Sequence, residues 1–111
     1  MNEEARVAHT EALFRHVNER IAESAERFDA SSAEFVCECA DPNCADRVPA
    51  TLEQYEDVRS DGTLFLLTPG HENDEIERVV ERPHPRLAIV EKFNGVAARI
   101  VRRLDPRAHP T

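Results

Sequence analysis

Apolar side chains recur at steps of three and four along the first part of the chain, the period at which residues share one face of an α-helix. Two glutamates near the start suit the positive end of a helix dipole, and no proline or glycine interrupts the run. The pattern predicts a long amphipathic helix within residues 1–30. The apolar stripe that would face the core consists of Leu13, Val17, Ile21, Ala25 and Phe28, with Phe14 and Ala22 beside it. Because bulky residues are missing before the stripe, the first turns either fray from a core helix, the favoured interpretation, or pair with a partner helix in a homodimer.

Five later segments have the composition or alternation of β-strands: the segment that begins at Phe35, and residues 47–49, 64–67, 77–82 and 87–93. The run at 64–67 is apolar throughout, which favours a place at the centre of a sheet. A stretch with two prolines at 83–86 is expected to join the last two strands as a hairpin.

Two further helices complete the predicted fold. Thr51 and Gln54 have the spacing of a capping box at the start of a short helix. After a turn at Asn94–Gly95, apolar residues recur with a helical period up to Leu104. The sequence therefore predicts a single α+β domain over residues 1–111, with a small, mainly antiparallel sheet, a zinc knuckle described below, and a loose tail at 105–111.

Three cysteines at positions 37, 39 and 44 are the main chemical signal. Side chains alternate between faces of an extended segment, so Cys37 and Cys39 share one face. The sequence Asp41-Pro42-Asn43 favours a type I turn that returns Cys44 beside them. Converging thiolates repel each other unless a cation compensates, and sulfur ligands favour zinc among the common cellular metals.

His71 is the expected fourth ligand, because the Pro69–Gly70 turn before it can hold the imidazole in one place. The resulting closed Cys3His tetrahedron is typical of structural zinc, since catalytic zinc keeps one position for water. Three alternatives stay open: buried cysteines without a ligand role, a disulfide between Cys39 and Cys44, or a different fourth ligand among His9, His16 and His84.

The composition suits a small domain that gains from reinforcement. The chain has 111 residues, 41% of them hydrophobic, with five Phe, one Tyr and no Trp. Such a core is modest, and a metal that ties distant segments together would stabilise it. No apolar run reaches membrane-spanning length and the start has no secretory-signal pattern, so we expect a cytoplasmic protein that makes no membrane contact and keeps its thiols reduced.

Charge limits the class of partner. The formal net charge of -8 disfavours wholesale binding to nucleic acid or to anionic membranes. Residues 82–111 nevertheless hold seven basic and two acidic side chains. We expect this basic segment to contact the acidic remainder of the chain, and the alternative is a basic edge left for an acidic partner.

Taken together, the motifs resemble a group of short proteins of high-GC bacteria to which no established activity is attached. The resemblance rests on Asn18-Glu19-Arg20, on Cys-Glu-Cys-Ala-Asp-Pro-x-Cys at 37–44, and on Pro-Gly-His-Glu at 69–72. The resemblance covers most of the chain, and it implies that the cysteines and His71 belong to one site.

These observations favour a zinc-stabilised interaction or regulatory module without catalytic activity, whose protein partner the sequence does not name. The same cysteines also suit a thiol-based redox or zinc sensor. A metal-dependent enzyme is less favoured, because Glu72 is the one evident base and neither a His-Glu-x-x-His helix nor a zinc-deaminase motif is present. A nucleic-acid-binding protein, suggested by the basic C-terminal helix and by the zinc knuckle, is also less favoured, because the chain is acidic overall and no exposed aromatic residue for base stacking is expected near that helix.

Overall fold

The computed structural model describes residues 3–108 and confirms the α+β class. In chain order its elements are α1 (Glu3–Arg27), β1 (Ser32–Val36), β2 (Arg47–Thr51), α2 (Leu52–Arg59), β3 (Leu64–Leu67), β4 (Glu77–His84), β5 (Leu87–Lys92), α3 (Gly95–Arg103) and a 3-10 turn (Pro106–Ala108). The predicted capping box makes both of its hydrogen bonds, between Thr51 and Gln54. Asn94, predicted as part of a turn, caps α3 by accepting from the N–H groups of Val96 and Ala97. Among the described residues, no helix is both long and apolar enough to cross a bilayer.

The strands form two antiparallel sheets instead of one. β1 pairs with β2, and the second sheet has the order β3-β5-β4. The expectation that the run at 64–67 lies at the centre of a sheet is therefore wrong, because β5 occupies the centre. β3 is still buried, since Glu38 covers its free edge: the backbone N–H of Glu38 donates to the Leu66 carbonyl, and its carboxylate accepts from the Leu66 N–H, each at 3.0 Å. An apolar run identifies a buried strand but does not distinguish a central strand from a covered edge.

Helix α1 turns part of the predicted stripe outward, although Ile21 of that stripe packs against the core and Ala22 beside it is buried. Leu13 and Phe28, both members of that stripe, are 63% and 76% exposed. The buried face consists mostly of small and polar residues, namely Ala5, Val7, Ala8, Glu11, Ala12, Arg15, Asn18 and Ala22. Alanines allow the helix to approach its neighbours closely. The polar residues are tolerated because they find partners inside; Arg15, for example, donates to the carbonyls of Gly62 and Val101, each at 2.7 Å.

The hydrophobic core joins both sheets to the helices. Phe35 of β1 stacks on Tyr55 of α2, with ring centroids 4.5 Å apart, and Phe65 of β3 is completely buried. Cys37 and Cys39 belong to the same group of packed residues. The sulfur site is thus continuous with the core, which fixes the backbone that carries it.

The basic C-terminal segment contacts the acidic part of the chain, in agreement with the expectation. Arg107 makes ion pairs with Glu19 and Glu56, and Asp105 pairs with the buried Arg59. Within the predicted loose tail, Asp105 and Arg107 make these pairs and Pro106–Ala108 forms the 3-10 turn. Residues 109–111 of the predicted tail lie outside the described part of the chain.

Candidate metal centre

The knuckle, residues 37–44, leaves β1 and folds back through the predicted turn. The carbonyl of Asp41 accepts from the N–H of Cys44 at 3.0 Å, and its carboxylate accepts from the N–H of Asn43 at 2.9 Å. Asp41 fixes the turn with both its backbone and its side chain, which confirms the role predicted for it. The N–H of Cys37 donates to the Asp46 carbonyl at 3.1 Å, so the outgoing and returning segments are tied together.

A second tight turn, directly after β3, positions His71. The N–H of His71 donates to the Thr68 carbonyl at 3.0 Å, and Pro69 and Gly70 lie between them. Gly70 has a φ of 96°, in the left-handed region that residues with a Cβ adopt at a cost. Proline followed by glycine at these positions is typical of a type II turn. The predicted turn is confirmed, and it places the ring beside the cysteine sulfurs.

The two turns bring all four predicted ligand residues together. The sulfurs of Cys37, Cys39 and Cys44 and a ring nitrogen of His71 lie within 4.8 Å of one another. Nδ1 of His71 is 3.6 Å from the Cys37 sulfur and 3.7 Å from the Cys44 sulfur. All three cysteines are free thiols, which does not favour the alternative of a Cys39–Cys44 disulfide. This group could hold a metal ion; its assignment as a ligand set stays a prediction.

The carboxylate of Asp46 lies on the outer side of the imidazole. Its Oδ2 lies 3.4 Å from Nε2 of His71, on the ring nitrogen that faces away from the sulfurs. A proton on Nε2 can point at this carboxylate, which leaves the Nδ1 lone pair directed at the cluster. The sequence analysis missed Asp46; an acidic residue shortly after the last cysteine was the available signal.

The three thiols hold their protons unevenly. A hydrogen bond from Cys37 lowers the pKa of Cys39 to about 5, and the same bond together with burial raises the pKa of Cys37. Burial also raises the pKa of Cys44. The N–H of Thr68 donates to the Cys37 sulfur at 3.2 Å and so directs a fixed dipole at it. Sulfurs this close need shared protons or a cation between them, and one metal ion compensates all three at once.

The rival histidines lie elsewhere. Nε2 of His84 is 2.9 Å from the Pro49 carbonyl, and its Nδ1 accepts from the N–H of Arg86. His9 and His16 are exposed on α1, and neither belongs to the cluster of candidate ligands among the described residues. Of the four histidines considered, His71 is the one beside the cysteines.

Two buried polar residues behind the cysteines were also missed by sequence reasoning. Asn18 and Glu38 both have no exposed surface. The available signals were an asparagine in a helix interior, where this residue type is disfavoured, and a carboxylate placed between two cysteines. Their contacts, described below, connect the knuckle to α1 and to β3.

No protein-family model, curated protein or solved structure matches the chain.

Proposed function

We propose that the protein is a zinc-stabilised interaction module in which Cys37, Cys39, Cys44 and His71 hold one zinc ion. The convergence of three sulfurs and one ring nitrogen within 4.8 Å carries this proposal. A tetrahedral zinc with Zn–S of about 2.3 Å and Zn–N of about 2.0 Å separates sulfur from nitrogen by about 3.5 Å. The two separations of 3.6 and 3.7 Å lie close to that value, and all four ligand atoms lie within 4.8 Å of one another, near enough for one ion to draw them together.

Hydrogen bonding between the thiols and the imidazole explains the arrangement less well than a bound ion does. A neutral imidazole with its proton on Nε2 has one lone pair at Nδ1, and this lone pair can accept one hydrogen from one thiol. The sulfurs of Cys37 and Cys44 lie at nearly equal distances from it. An ion between them accounts for both contacts. Asp46 on the outer side of the ring matches the carboxylate that commonly accompanies a zinc-bound histidine.

The ligand set favours a structural role over a catalytic one. Four protein ligands leave no position for water, whereas catalytic zinc keeps one open. The ion would join the knuckle to the loop after β3 and so add folding energy to a domain with a small core. Glu72, the candidate base, accepts from the N–H of Gly70 at 3.0 Å within its own loop, which supports a non-catalytic interpretation.

Removal of zinc tests the structural role. Because binding energy and folding energy are coupled in such sites, a chelator should unfold the domain cooperatively, as measured by circular dichroism. His71→Gln should lose zinc retention, whereas the matched change His84→Gln, outside the cluster, should retain one zinc per chain. Full secondary structure after complete removal of zinc would contradict the structural role.

The exposed apolar face of α1 supports a protein partner. Leu13, Val17 and Phe28 on this face are 63%, 41% and 76% exposed, and apolar side chains exposed in this way mark interaction surfaces. α1 begins with acidic residues and ends with Arg27. Glu23 and Glu26 precede Arg27 at that end, so the pairing would depend on the apolar face, and we place a second copy of the chain on it because a long helix can pair with a symmetry-related copy through such a stripe.

Native mass spectrometry of the zinc-loaded protein tests this pairing. We expect a dimer for the wild type, a monomer for Leu13→Ser, and an unchanged dimer for Glu23→Gln, an exposed change on the same helix. A wild-type monomer at the highest soluble concentration would reject the homodimer and leave the zinc proposal intact.

A redox or zinc sensor is the second candidate, favoured by the exposure of one side of the cluster. Cys44 is partly exposed while Cys37 and Cys39 are buried, and 34% of the His71 side chain is accessible. Peroxide would reach Cys44 first; two thiolates would then form a disulfide, the peroxide would be reduced to water, and zinc would be released. A free-zinc dye and a thiol count after mild peroxide test this. Zinc retention at peroxide levels that oxidise an ordinary exposed thiol supports the structural role instead.

Direct nucleic-acid binding gains little support from the C-terminal charges. Of the C-terminal arginines, Arg107 binds two glutamates within the chain, whereas Arg99, Arg102 and Arg103 are exposed on α3. The net charge of -8 opposes the approach of a nucleic-acid backbone to these exposed arginines. A salt-sensitive shift with random DNA or RNA would revive this possibility.

A further inference from the structure

The side chains of Asn18 and Glu38 form a buried polar junction directly behind the cysteines. Neither residue has exposed surface. Glu38 lies between Cys37 and Cys39 in the chain, and its carboxylate reaches α1 through one oxygen and β3 through the other. The junction therefore connects the metal ligands to both neighbouring elements.

Asn18 pairs with the last residue of β1 in the way that a neighbouring strand would. Its Oδ1 accepts from the N–H of Val36 at 2.8 Å, and its Nδ2 donates to the Val36 carbonyl at 2.9 Å. The same Nδ2 donates to Oε2 of Glu38 at 2.8 Å. The residue that precedes Cys37 is thus bound to α1 through both of its backbone polar groups.

Glu38 fixes the backbone on the other side of Cys37. Its N–H donates to the Leu66 carbonyl and its Oε1 accepts from the Leu66 N–H, each at 3.0 Å. Thr68, further along the same segment, donates to the Cys37 sulfur. The peptide units on both sides of Cys37 therefore have a set orientation. An apolar residue at position 38 would leave buried donors on Leu66 and Asn18 without an acceptor, at a cost in free energy.

We propose that Asn18 and Glu38 are positioning residues of the metal centre, which hold the backbone of Cys37 and Cys39 in the geometry of the bound ligands. The inference rests on the proposed zinc function. Residues that fix the ligands of a metal without touching it typically contribute about 10-fold to 100-fold to its affinity. Through Asn18, α1 becomes part of the unit that zinc stabilises, so metal binding and the attachment of α1 are coupled.

Glu38→Gln is the direct test. A single amide oxygen can accept from one of the two donors, and the new NH2 group then faces the other donor. The Kd for zinc, measured by competition with a chromophoric chelator, should rise about 10-fold to 100-fold. The absorption spectrum of the Co²⁺-loaded protein, which reports the geometry of thiolate and imidazole ligands, should change. Glu34→Gln, an exposed change on β1, should alter neither quantity.

Val58→Ala separates positioning from general stability. It truncates a buried residue of α2 and leaves the junction intact. Since folding and binding are coupled, it can raise the Kd, but it should leave the Co²⁺ spectrum unchanged. A wild-type Co²⁺ spectrum for Glu38→Gln overturns the inference. Should that variant fail to fold, Asn18→Ser is measured in the same way. Wild-type protein that takes up no zinc would instead remove the proposed function itself.

Discussion

Glu11 of α1 shares a sealed cluster with Glu77 of β4 and Lys92 of β5. All three side chains have no exposed surface, and the Lys92 ammonium contacts both carboxylates while lying over the ring of Phe65. One cation neutralises one carboxylate, and Glu77 also accepts from the N–H of Asn73 at 3.1 Å. Glu11 therefore keeps its proton in the fold: burial raises its pKa well above the usual value, and Glu77 adds to this although Lys92 opposes it.

The retained proton makes stability depend on pH. Between the unfolded pKa of about 4.3 and the raised folded pKa, the folded state binds one proton more than the unfolded state. Within that window the contribution of Glu11 to the free energy of unfolding falls by about 1.4 kcal/mol for each unit of rising pH, or about 3 kcal/mol over two units. Burial also raises the pKa of Glu38, so the wild-type slope contains a second contribution of the same sign.

Glu11→Gln isolates the contribution of this proton. An amide does not titrate, but it can donate to Glu77 as a protonated carboxyl does. The free energy of unfolding of the variant minus that of the wild type should therefore rise by about 1.4 kcal/mol per pH unit. Urea unfolding of both proteins at several pH values from about 5.5 upward, in constant excess zinc, measures this difference. Contributions from Glu38 and the metal ligands are common to both proteins and cancel in the difference. The exposed change Glu23→Gln should give a flat difference. A flat difference for Glu11→Gln as well would mean that Glu11 is ionised in the fold, and the reasoning would be refuted.

Three further substitutions, two of them with a matched control substitution, test other parts of the fold. Arg59→Met should lower the free energy of unfolding by about 3–5 kcal/mol because it leaves the buried Asp105 carboxylate without its cation, whereas Arg107→Met, with a partly exposed guanidinium, should cost about 1 kcal/mol or less. Equal losses of stability in urea would contradict this expectation. Gly70→Ala, at a φ of 96°, should cost about 1–2 kcal/mol and weaken zinc binding, while Gly95→Ala in α3, where a Cβ meets open space, should be neutral or stabilising. Ala8→Leu should overpack the buried face of α1 and cost about 1–3 kcal/mol, and an unchanged melting temperature would contradict the orientation of that helix.

Local signals predicted the knuckle and most elements of the fold. The turn at Asp41 and the capping box at Thr51 depend on side chains that bond to backbone a few residues away, so sequence neighbours suffice to identify them. The Pro69–Gly70 turn is equally local. Together these signals predicted the convergence of the cysteines with His71, although two strands and a helix separate them in the chain.

The orientation of α1 could not be predicted in this way. Its sequence has an apolar stripe and, rotated from it, a face of small residues that includes Ala8 and Ala12, and hydrophobicity alone favours burial of the larger side chains. The fold instead buries Ala8 and Ala12 together with Asn18 and Arg15, because partners elsewhere in the chain satisfy the polar groups. The roles of Glu38 and Asp46 were missed for the same reason, since their partners are known only once the chain has folded.

X-ray absorption at the zinc edge, on freshly purified and reduced protein, tests the central claim most directly. We predict one zinc per chain with three sulfurs at about 2.3 Å and one imidazole nitrogen at about 2.0 Å. The Cys44→Ser variant should lose one sulfur from this shell. Protein that retains no zinc, or zinc bound mainly by oxygen and nitrogen, would contradict the account.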